Sequence, residues 1–588
     1  MQVSSDSTAT PVPDREPPRV NAEPRGLGGI LLFATLGAAA WAILTANGLD
    51  VLMWLFATIA LPPLVGLVIA AWAFGLSRVR WVALLRLLAI LTAMCLVIHF
   101  AGEENARPMA LLWGVPAAML LGLWCWRLTG GWRLGARRTA LALTLIGAML
   151  PWLAVRGGGQ QGFGRITLAP RWQPVGGITV AAGEEVARPL SPESAPTLGD
   201  VLWPGFRGPN RAGVALEGSY DSAALKAAFP LRQLWKQPIG AGWSSFAVVD
   251  PLIFTQEQRG EFECVVAYDL KSGSERWVYA DKNRFNEMAG GLGPRATPTF
   301  ADGRLYIMGP SGILTCLDAA TGRKVWRVEQ AAGDDGTPQW GFAGSPLVHD
   351  GLVIVALDGI NNLRLAAFDI GDGKLRWRAF GGADSYSSPQ LATLAGVPQV
   401  LIFDGAGLAS FDPATGNELW SHEWKEGMPK VAQPMVLSES EVLIGMGYGR
   451  GLRLLEVKKS GETWTVGQRW ASDKLKPKFN DFVIHEGHAY GLDEGILACV
   501  SLKDGKRAWK GGRYGYGQVL LAPPYLLVVS EAGEVALVDA APAEYREVTR
   551  SDAIRGKTWN HPVIAAGRLL VRNGDEMACF DLQRVREN

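Results

Sequence analysis

The hydrophobic rhythm of this chain changes near residue 156. From Leu27 to Val155 apolar residues come in long runs with charges almost only between them. Each run is close to the roughly 20 residues that a helix needs to cross a bilayer core of about 30 Å. The pattern predicts five spans, at 27–46, 51–76, 81–101, 108–126 and 139–155. The second holds Pro62 and Pro63, which a bundle tolerates where neighbours or water meet the freed carbonyls. Residues 157–200 are rich in Gly and Pro without apolar periodicity and read as a flexible linker. Beyond them the apolar runs shorten to a few Val, Ile, Leu and aromatic residues, broken by Asp-Gly, Thr-Gly or Ser-Gly, which is the punctuation of an all-β fold.

An internal repeat refines that reading. Asp269 leads through Gly273 to Trp277, Asp318 through Gly322 to Trp326, Asp369 through Gly373 to Trp377, Asp412 through Gly416 to Trp420, and Ser501 through Gly505 to Trp509. The spacing is that of a tight hairpin in which the Asp side chain closes the turn, Gly takes a positive φ and Trp lies on the next strand. With Trp235, Trp470 and Tyr545 in the same register, the units recur roughly every 36 to 51 residues, the length of a four-stranded propeller blade. Eight inner hairpins end at Asp269, Asp318, Asp369, Asp412, Val457, Ser501, Asp539 and Asp581. No outer strand follows the last, whereas Leu231–Trp235 is an outer strand with no blade before it. Eight blades are therefore expected, closed by pairing the N-terminal strand with the last hairpin.

This Asp-x-x-Thr-Gly-x-x-x-Trp pattern resembles the pyrroloquinoline-quinone (PQQ) repeat of quinoprotein dehydrogenases and of the propeller lipoprotein of outer-membrane assembly. Five N-terminal spans, a linker and Trp203-Pro204-Gly205-Phe206-Arg207-Gly208 ahead of the propeller are similar to membrane-bound quinoprotein glucose dehydrogenase, a family that passes electrons to membrane ubiquinone. The expected fold is thus an all-β eight-bladed PQQ-like propeller over 201–588, preceded by a cytoplasmic tail (1–26), a five-helix transmembrane domain (27–156) and the linker (157–200).

Charge sets the orientation. Arg15, Arg19 and Arg25, then Arg78 and Arg80, then Arg127, Arg133, Arg137 and Arg138 alternate with segments carrying Asp50 or Glu103, Glu104 and a single Arg107. That alternation is the positive-inside pattern, with a cytoplasmic N-terminus. Five crossings put the propeller on the opposite side, the periplasm of a double-membrane bacterium. Globally, Lys+Arg 57 against Asp+Glu 56 gives a net charge of +1, which offers nothing to a nucleic acid. The apolar fraction of 48% with 19% charged residues averages a membrane regime and a soluble one.

Candidate chemistry gathers before each innermost strand, where a propeller chain crosses to the mouth of the central channel. Those positions read Gly242–Ser245, Arg295–Pro298, Trp340–Pro346, Tyr386–Pro389, Lys430–Pro434, Phe479–Asp481, Tyr514–Gln518 and Trp559–Pro562. They predict an aromatic and polar ring offering stacking surfaces, cations and amide or carboxylate groups. The resemblance implies PQQ, which needs an aromatic floor, cations for its carboxylates, and Ca²⁺ on oxygen ligands beside a basic carboxylate. By position, Trp243 is assigned as the floor and Arg295 as a carboxylate partner. Trp340, Tyr386, Trp559 and His561 complete the cofactor ring, while Asn480 and Asp481 are the calcium ligands, with Asp481 also the base. The competing reading of the Ser-Pro and Gly positions is that they merely start strands.

The repeat tryptophans read as blade-to-blade packing. Cys316, Cys499 and Cys579 occupy equivalent sites in different blades, too far apart to pair. The chain has no Cys-Cys pair and no C-x-x-C-H, so it carries no built-in c-type haem. His485-Glu486-Gly487-His488 lacks the spacing of a helical zinc motif and reads as a surface hairpin. Two functions follow: a membrane-anchored periplasmic module that binds a small ligand or a protein, or a PQQ- and Ca²⁺-dependent sugar or alcohol dehydrogenase feeding membrane quinone through the spans.

Overall fold

The structure is a computed structural model. It describes residues 81–101, 110–161, 165–172, 178 and 186–583, apart from short gaps at 288, 330–336, 358–361, 384–385 and 427–428. Two compact units emerge, one N-terminal and helical, the other containing the β-structure. In the helical unit, helices span Trp81–Ala101, Val115–Leu128, preceded by a π-turn at Ala110–Gly114, and Leu134–Ala154. Gly114 leaves room for the Trp152 indole, which a Cβ there would meet at 2.6 Å. The expected spans at 27–46 and 51–76 lie outside the described residues, and the helices fall where the other three were expected. Among the described residues no helix is long and apolar enough to cross a membrane.

Among the described residues the β-unit holds eight antiparallel sheets of four or five strands, seven of four and one of five, and six of them are built from four consecutive strands. They form blades 1 to 8 of a propeller, with innermost strands at Ala247–Val249, Thr299–Ala301, Leu347–His349, Gln390–Leu394, Met435–Ser438, Phe482–His485, Gln518–Ala522 and Val563–Ala565. Ring closure is as the repeat predicted: Arg232–Pro238 pairs antiparallel with Glu576–Asp581 as the fourth strand of blade 8, with Trp235 opposite Cys579. One strand was not anticipated. Val201–Trp203 adds a fifth strand to the inner edge of blade 1.

The repeat turn explains the packing between blades. In blade 2, Asp318 Oδ1 accepts from the N–H of Thr321 (2.9 Å) and from its hydroxyl (2.6 Å). Gly322 takes φ +73°, and a Cβ there would come within 2.5 Å of Trp277 from blade 1. Trp277 Nε1 donates to the Ala319 carbonyl of the same turn (3.1 Å). Trp235, Trp326, Trp377, Trp470 and Trp509 each donate likewise to a turn carbonyl of the following blade. Trp420 is the exception: the blade 5 hairpin extends to Ser460 and Thr463 before it turns, and Trp420 donates within its own blade to Gln399 Oε1 (2.8 Å).

Cys316, Cys499 and Cys579 stand opposite Trp326, Trp509 and Trp235, at equivalent positions of their blades. All three are buried free thiols. Burial pushes them up to about 11, 11 and 12, so they are unreactive packing groups. His485 and His488 flank a two-residue hairpin with Glu486 at φ +44° and Gly487 at φ +71°.

Candidate functional site

The residues that open each innermost strand tie the blades into a circle. The backbone N–H of Ser245 donates to Thr297 Oγ1 (3.0 Å), that of Thr297 to Ser345 Oγ (2.9 Å) and that of Ser345 to Ser388 Oγ (2.9 Å). Ser388 N–H donates to Gln433 Oε1 (3.2 Å) and Gln433 N–H to Asp481 Oδ1 (2.6 Å). Asn480 Nδ2 continues to the Gly517 carbonyl (3.3 Å), Gln518 Nε2 to that of Trp559 (2.8 Å) and Asn560 Nδ2 to that of Ser244 (2.8 Å). The chain here approaches the axis with N–H groups that no strand partner can reach, and short polar side chains of the neighbouring blade satisfy them. The Ser and Thr positions are therefore structural.

The segment Trp203–Arg211 lies across this circle. Its residues Arg207 (φ +57°) and Gly208 (φ +74°) are left-handed, and a Cβ at Gly208 would meet the Trp203 ring at 2.8 Å, so the strap turns tightly on itself. Arg211 donates to the carbonyls of Ser345 (3.1 Å), Pro389 (3.0 Å) and Pro346 (2.5 Å) in blades 3 and 4. Arg207 donates to the Phe482 carbonyl (2.8 Å) and lies 3.2 Å from Asp481 Oδ2 in blade 6. Phe206 stacks edge-on against His561 of blade 8 (5.1 Å). A segment that touches blades 3, 4, 6 and 8 must cross the axis, so it plugs the channel. Burial without an acid partner lowers the Arg211 guanidinium to about 9, and the three carbonyls are what hold it.

Trp243, Arg295, Tyr386, Phe479, Tyr516 and Trp559 each lie two residues before a residue at this level of the channel. Four of them form one stack: Trp243 on Trp559 (5.0 Å), Trp559 on Phe479 (4.4 Å) and Phe479 on Tyr516 (5.1 Å). Trp340 and Tyr386 form a separate pair (5.0 Å). Lys557 Nζ stands 4.3 Å from the Trp559 ring centroid and 4.8 Å from that of Trp243. Lys478 Nζ stands 5.0 Å over Tyr516 and 5.2 Å over Tyr448. Burial lowers both lysines to about 8, with Glu531 partly offsetting it for each. Glu531 Oε1 also accepts from Trp559 Nε1 (3.0 Å), and Glu494 Oε2 from the Tyr516 hydroxyl (2.9 Å). The result is an aromatic wall with two readily deprotonated cations, able to stack a flat or apolar group and pair with an anion.

The expected site residues divide between this wall and the plug. Trp243 and Trp559 are in the wall. Arg295 is buried and committed: it donates to the carbonyls of Gly291 (2.8 Å), Gly293 and Trp340 (3.3 Å) and pairs with Glu287 (3.2 Å). Asp481 and His561 face the plug and each other, with His561 Nε2 3.4 Å from Asp481 Oδ2. Asn480 Oδ1 accepts from the N–H of Lys478 (3.1 Å). Both Asp481 oxygens are thus occupied, one beside a guanidinium. That donor set does not fit calcium, which takes six to eight oxygen ligands and is repelled by an adjacent cation. Among the described residues no three His, Cys, Asp or Glu side chains gather to hold a metal.

Lys430, expected as a mouth cation, is buried and donates to the carbonyls of Gly405 (3.2 Å) and Glu426 (2.8 Å). Sequence reasoning missed Lys478 and Lys557 as wall cations and Arg207 and Arg211 as plug anchors. The lysines were within reach, one directly before Phe479 and the other two residues before Trp559. The arginines' partners lie in distant blades.

Comparison with known proteins agrees with the fold. The profile of outer membrane protein assembly factor BamB matches residues 232–337 and 261–511. Curated relatives include BamB of Shewanella oneidensis, 25% identical over 323 residues, 52% of this chain and 76% of that protein. Quinohemoprotein alcohol dehydrogenase ADH-IIG of Pseudomonas putida is 29% identical over 215 residues, 33% of this chain. The match spans only 27% of that enzyme's length. Among solved structures, BamB of Moraxella catarrhalis aligns with TM-score 0.45 and 16% identity, over 60% of this chain and 99% of that one. Quinohemoprotein alcohol dehydrogenase of Comamonas testosteroni aligns with TM-score 0.48 and 13% identity, over 66% and 81%. The repeat and the blade count give an eight-bladed propeller, and the profile match over 232–511 makes it a PQQ-like β-propeller.

Proposed function

We propose that this protein is a membrane-anchored binding propeller that presents the Trp243–Trp559–Phe479–Tyr516 wall to an anionic ligand or protein segment with flat or apolar groups. The observation that carries the reading is the continuous ring stack with Lys478 and Lys557 over it. A wall built only for packing has no need of two desolvated lysines over its rings. Support for the anchor comes from the helical unit, where Leu96, Val97, Phe100, Leu121, Leu143 and Ile146 are exposed, a surface that water disfavours and lipid accepts. With the alternation of arginines between the runs, this favours an inner-membrane protein with a periplasmic propeller.

The second reading, a PQQ- and Ca²⁺-dependent sugar or alcohol dehydrogenase feeding membrane quinone, draws on the partial match to the Pseudomonas alcohol dehydrogenase. The wall supplies rings to stack a planar group and two lysines to pair with carboxylates. The engagement of Asp481 with Arg207 and His561 weighs against the calcium half of that reading.

Calorimetric titration of PQQ into the detergent-solubilised full chain, with Ca²⁺ and with chelator, separates the two. Calcium-independent binding is the expected result, and calcium-dependent binding would move the assignment to the dehydrogenase. Trp243→Ala should weaken binding by about 5- to 150-fold, since stacking on one aromatic is worth about 1–3 kcal/mol. Unchanged affinity would remove this wall as the site. Binding should also fall as pH rises through about 8, where Lys478 and Lys557 lose their charge. A flat profile from pH 7 to about 9 would argue against lysine pairing.

A further inference from the structure

Between blades 4 and 5 the repeat is broken in a way that packing does not explain. On the outer strand of blade 4 and just past its end, His422 and Trp424 follow Trp420 at alternate positions and so point, as it does, toward blade 5. Trp424 is 3% exposed, yet its Nε1 has no hydrogen-bond partner, and the buried Nε2 of His422 has none either. An unmade hydrogen bond at a buried donor costs about 1–3 kcal/mol, so two together favour an occupant that accepts from them.

Across the crevice stands Arg453, with Cζ 3.8 Å from the Trp424 ring centroid. In blades 1, 2, 3, 4, 6 and 8 the residue just before the partner of the repeat tryptophan is Val266, Thr315, Ala366, Ala409, Ala498 and Ala578. In blade 5 that residue is Arg453. A small uncharged position has become a guanidinium on the side facing blade 4. Among the described residues no carboxylate bonds to it: the nearby Glu426 is paired with Arg450 (2.9 Å). Burial and then the Arg453 charge lower the His422 imidazole, which favours the neutral ring, and in the tautomer protonated at Nε2 that nitrogen is a donor. Arg453 is half-buried, so the crevice opens to solvent.

We propose that this crevice is an oxyanion site, separate from the aromatic wall, in which Arg453, Trp424 Nε1 and His422 Nε2 bind a carboxylate or phosphate group. Three N–H donors with no acceptor among them suit a compact anion, and the indole face holds the guanidinium flat for a two-pronged contact. Water alone would satisfy the two orphaned nitrogens, but the one carboxylate that acts on the guanidinium, Glu426, is shared with Arg450, which leaves cationic charge over for an anion.

The test uses the full chain labelled with 5-fluorotryptophan, the Trp424 signal being the one absent from Trp424→Phe. Acetate and inorganic phosphate are titrated separately at constant ionic strength. The expected result is a saturable shift of that signal with one or both anions, and the stronger anion identifies the ligand as a carboxylate or a phosphate. Arg453→Gln, a half-exposed change that leaves Trp424 as reporter, should weaken the apparent affinity about tenfold or more. No saturable shift with either anion, or equal affinity in wild type and Arg453→Gln, would overturn the proposal and leave a water-filled crevice.

Discussion

Replacing Arg207 with alanine is expected to destabilise the propeller by about 3–5 kcal/mol, the cost of stranding the other half of a buried ion pair. Arg207 is 1% exposed and sits between Asp481 and the Phe482 carbonyl. Its loss leaves the buried Asp481 carboxylate with His561 and the Gln433 N–H but no guanidinium. Chemical denaturation of the full chain at neutral pH measures the loss. Asp481→Asn in the Arg207→Ala background should restore part of it by removing the stranded charge.

The pH dependence has a defined sign. Burial alone would raise the Asp481 carboxyl, but Arg207 and then His561 hold it below the ordinary carboxylate range. A depressed folded value stabilises fully above the unfolded value near 4 and is lost as pH falls through the folded one. His561 acts in the same direction: burial keeps it below its ordinary value, so its contribution also fades in acid. Wild type should therefore lose stability on acidification more steeply than Asp481→Asn, and equal slopes would show that the pair is not electrostatically coupled to folding.

The second large effect is expected at the interface of blades 1 and 2. Trp277→Ala should cost about 3–5 kcal/mol, as for other fully buried aromatics, because the indole fills the space over Gly322 and its Nε1 satisfies the Ala319 carbonyl. Gly322→Ala tests the same contact from the other side. Its φ of +73° strains any L residue, and the added methyl would lie 2.5 Å from the Trp277 ring. Both variants should lower the unfolding midpoint, and a loss within about 1 kcal/mol for Trp277→Ala would mean that this stack does not hold the blades together.

These two sites show why some of this protein could be read in its sequence and some could not. The Asp318–Gly322–Trp326 spacing is local: the turn closes within five residues, and a strand must follow it. Repeating that unit dictates a propeller because each blade has two apolar faces that only neighbours can cover. Even the closing strand at Arg232–Pro238 followed from counting hairpins. The aromatic character of the mouth was visible too, since Trp243, Phe479 and Trp559 precede their inner strands at similar distances.

What the residues at the channel do was not legible. Asp481 had the composition of a calcium ligand, and its position before a strand gave no sign of the guanidinium 274 residues earlier that occupies it. Arg207 belonged to a motif noticed only for its place ahead of the propeller, and Arg211 lies three residues past its end, yet they reach blades 3, 4 and 6. Arg453 meets Trp424 only because blade 5 lies against blade 4. The sequence by itself determined the blades, their number and their closure, because hairpin geometry and burial of strand faces act over short separations and repeat. The tertiary structure decided which charges are paired and which donors lack acceptors. Closing the ring brings to one axis, or to one crevice, side chains whose separation along the chain carries no record of their meeting.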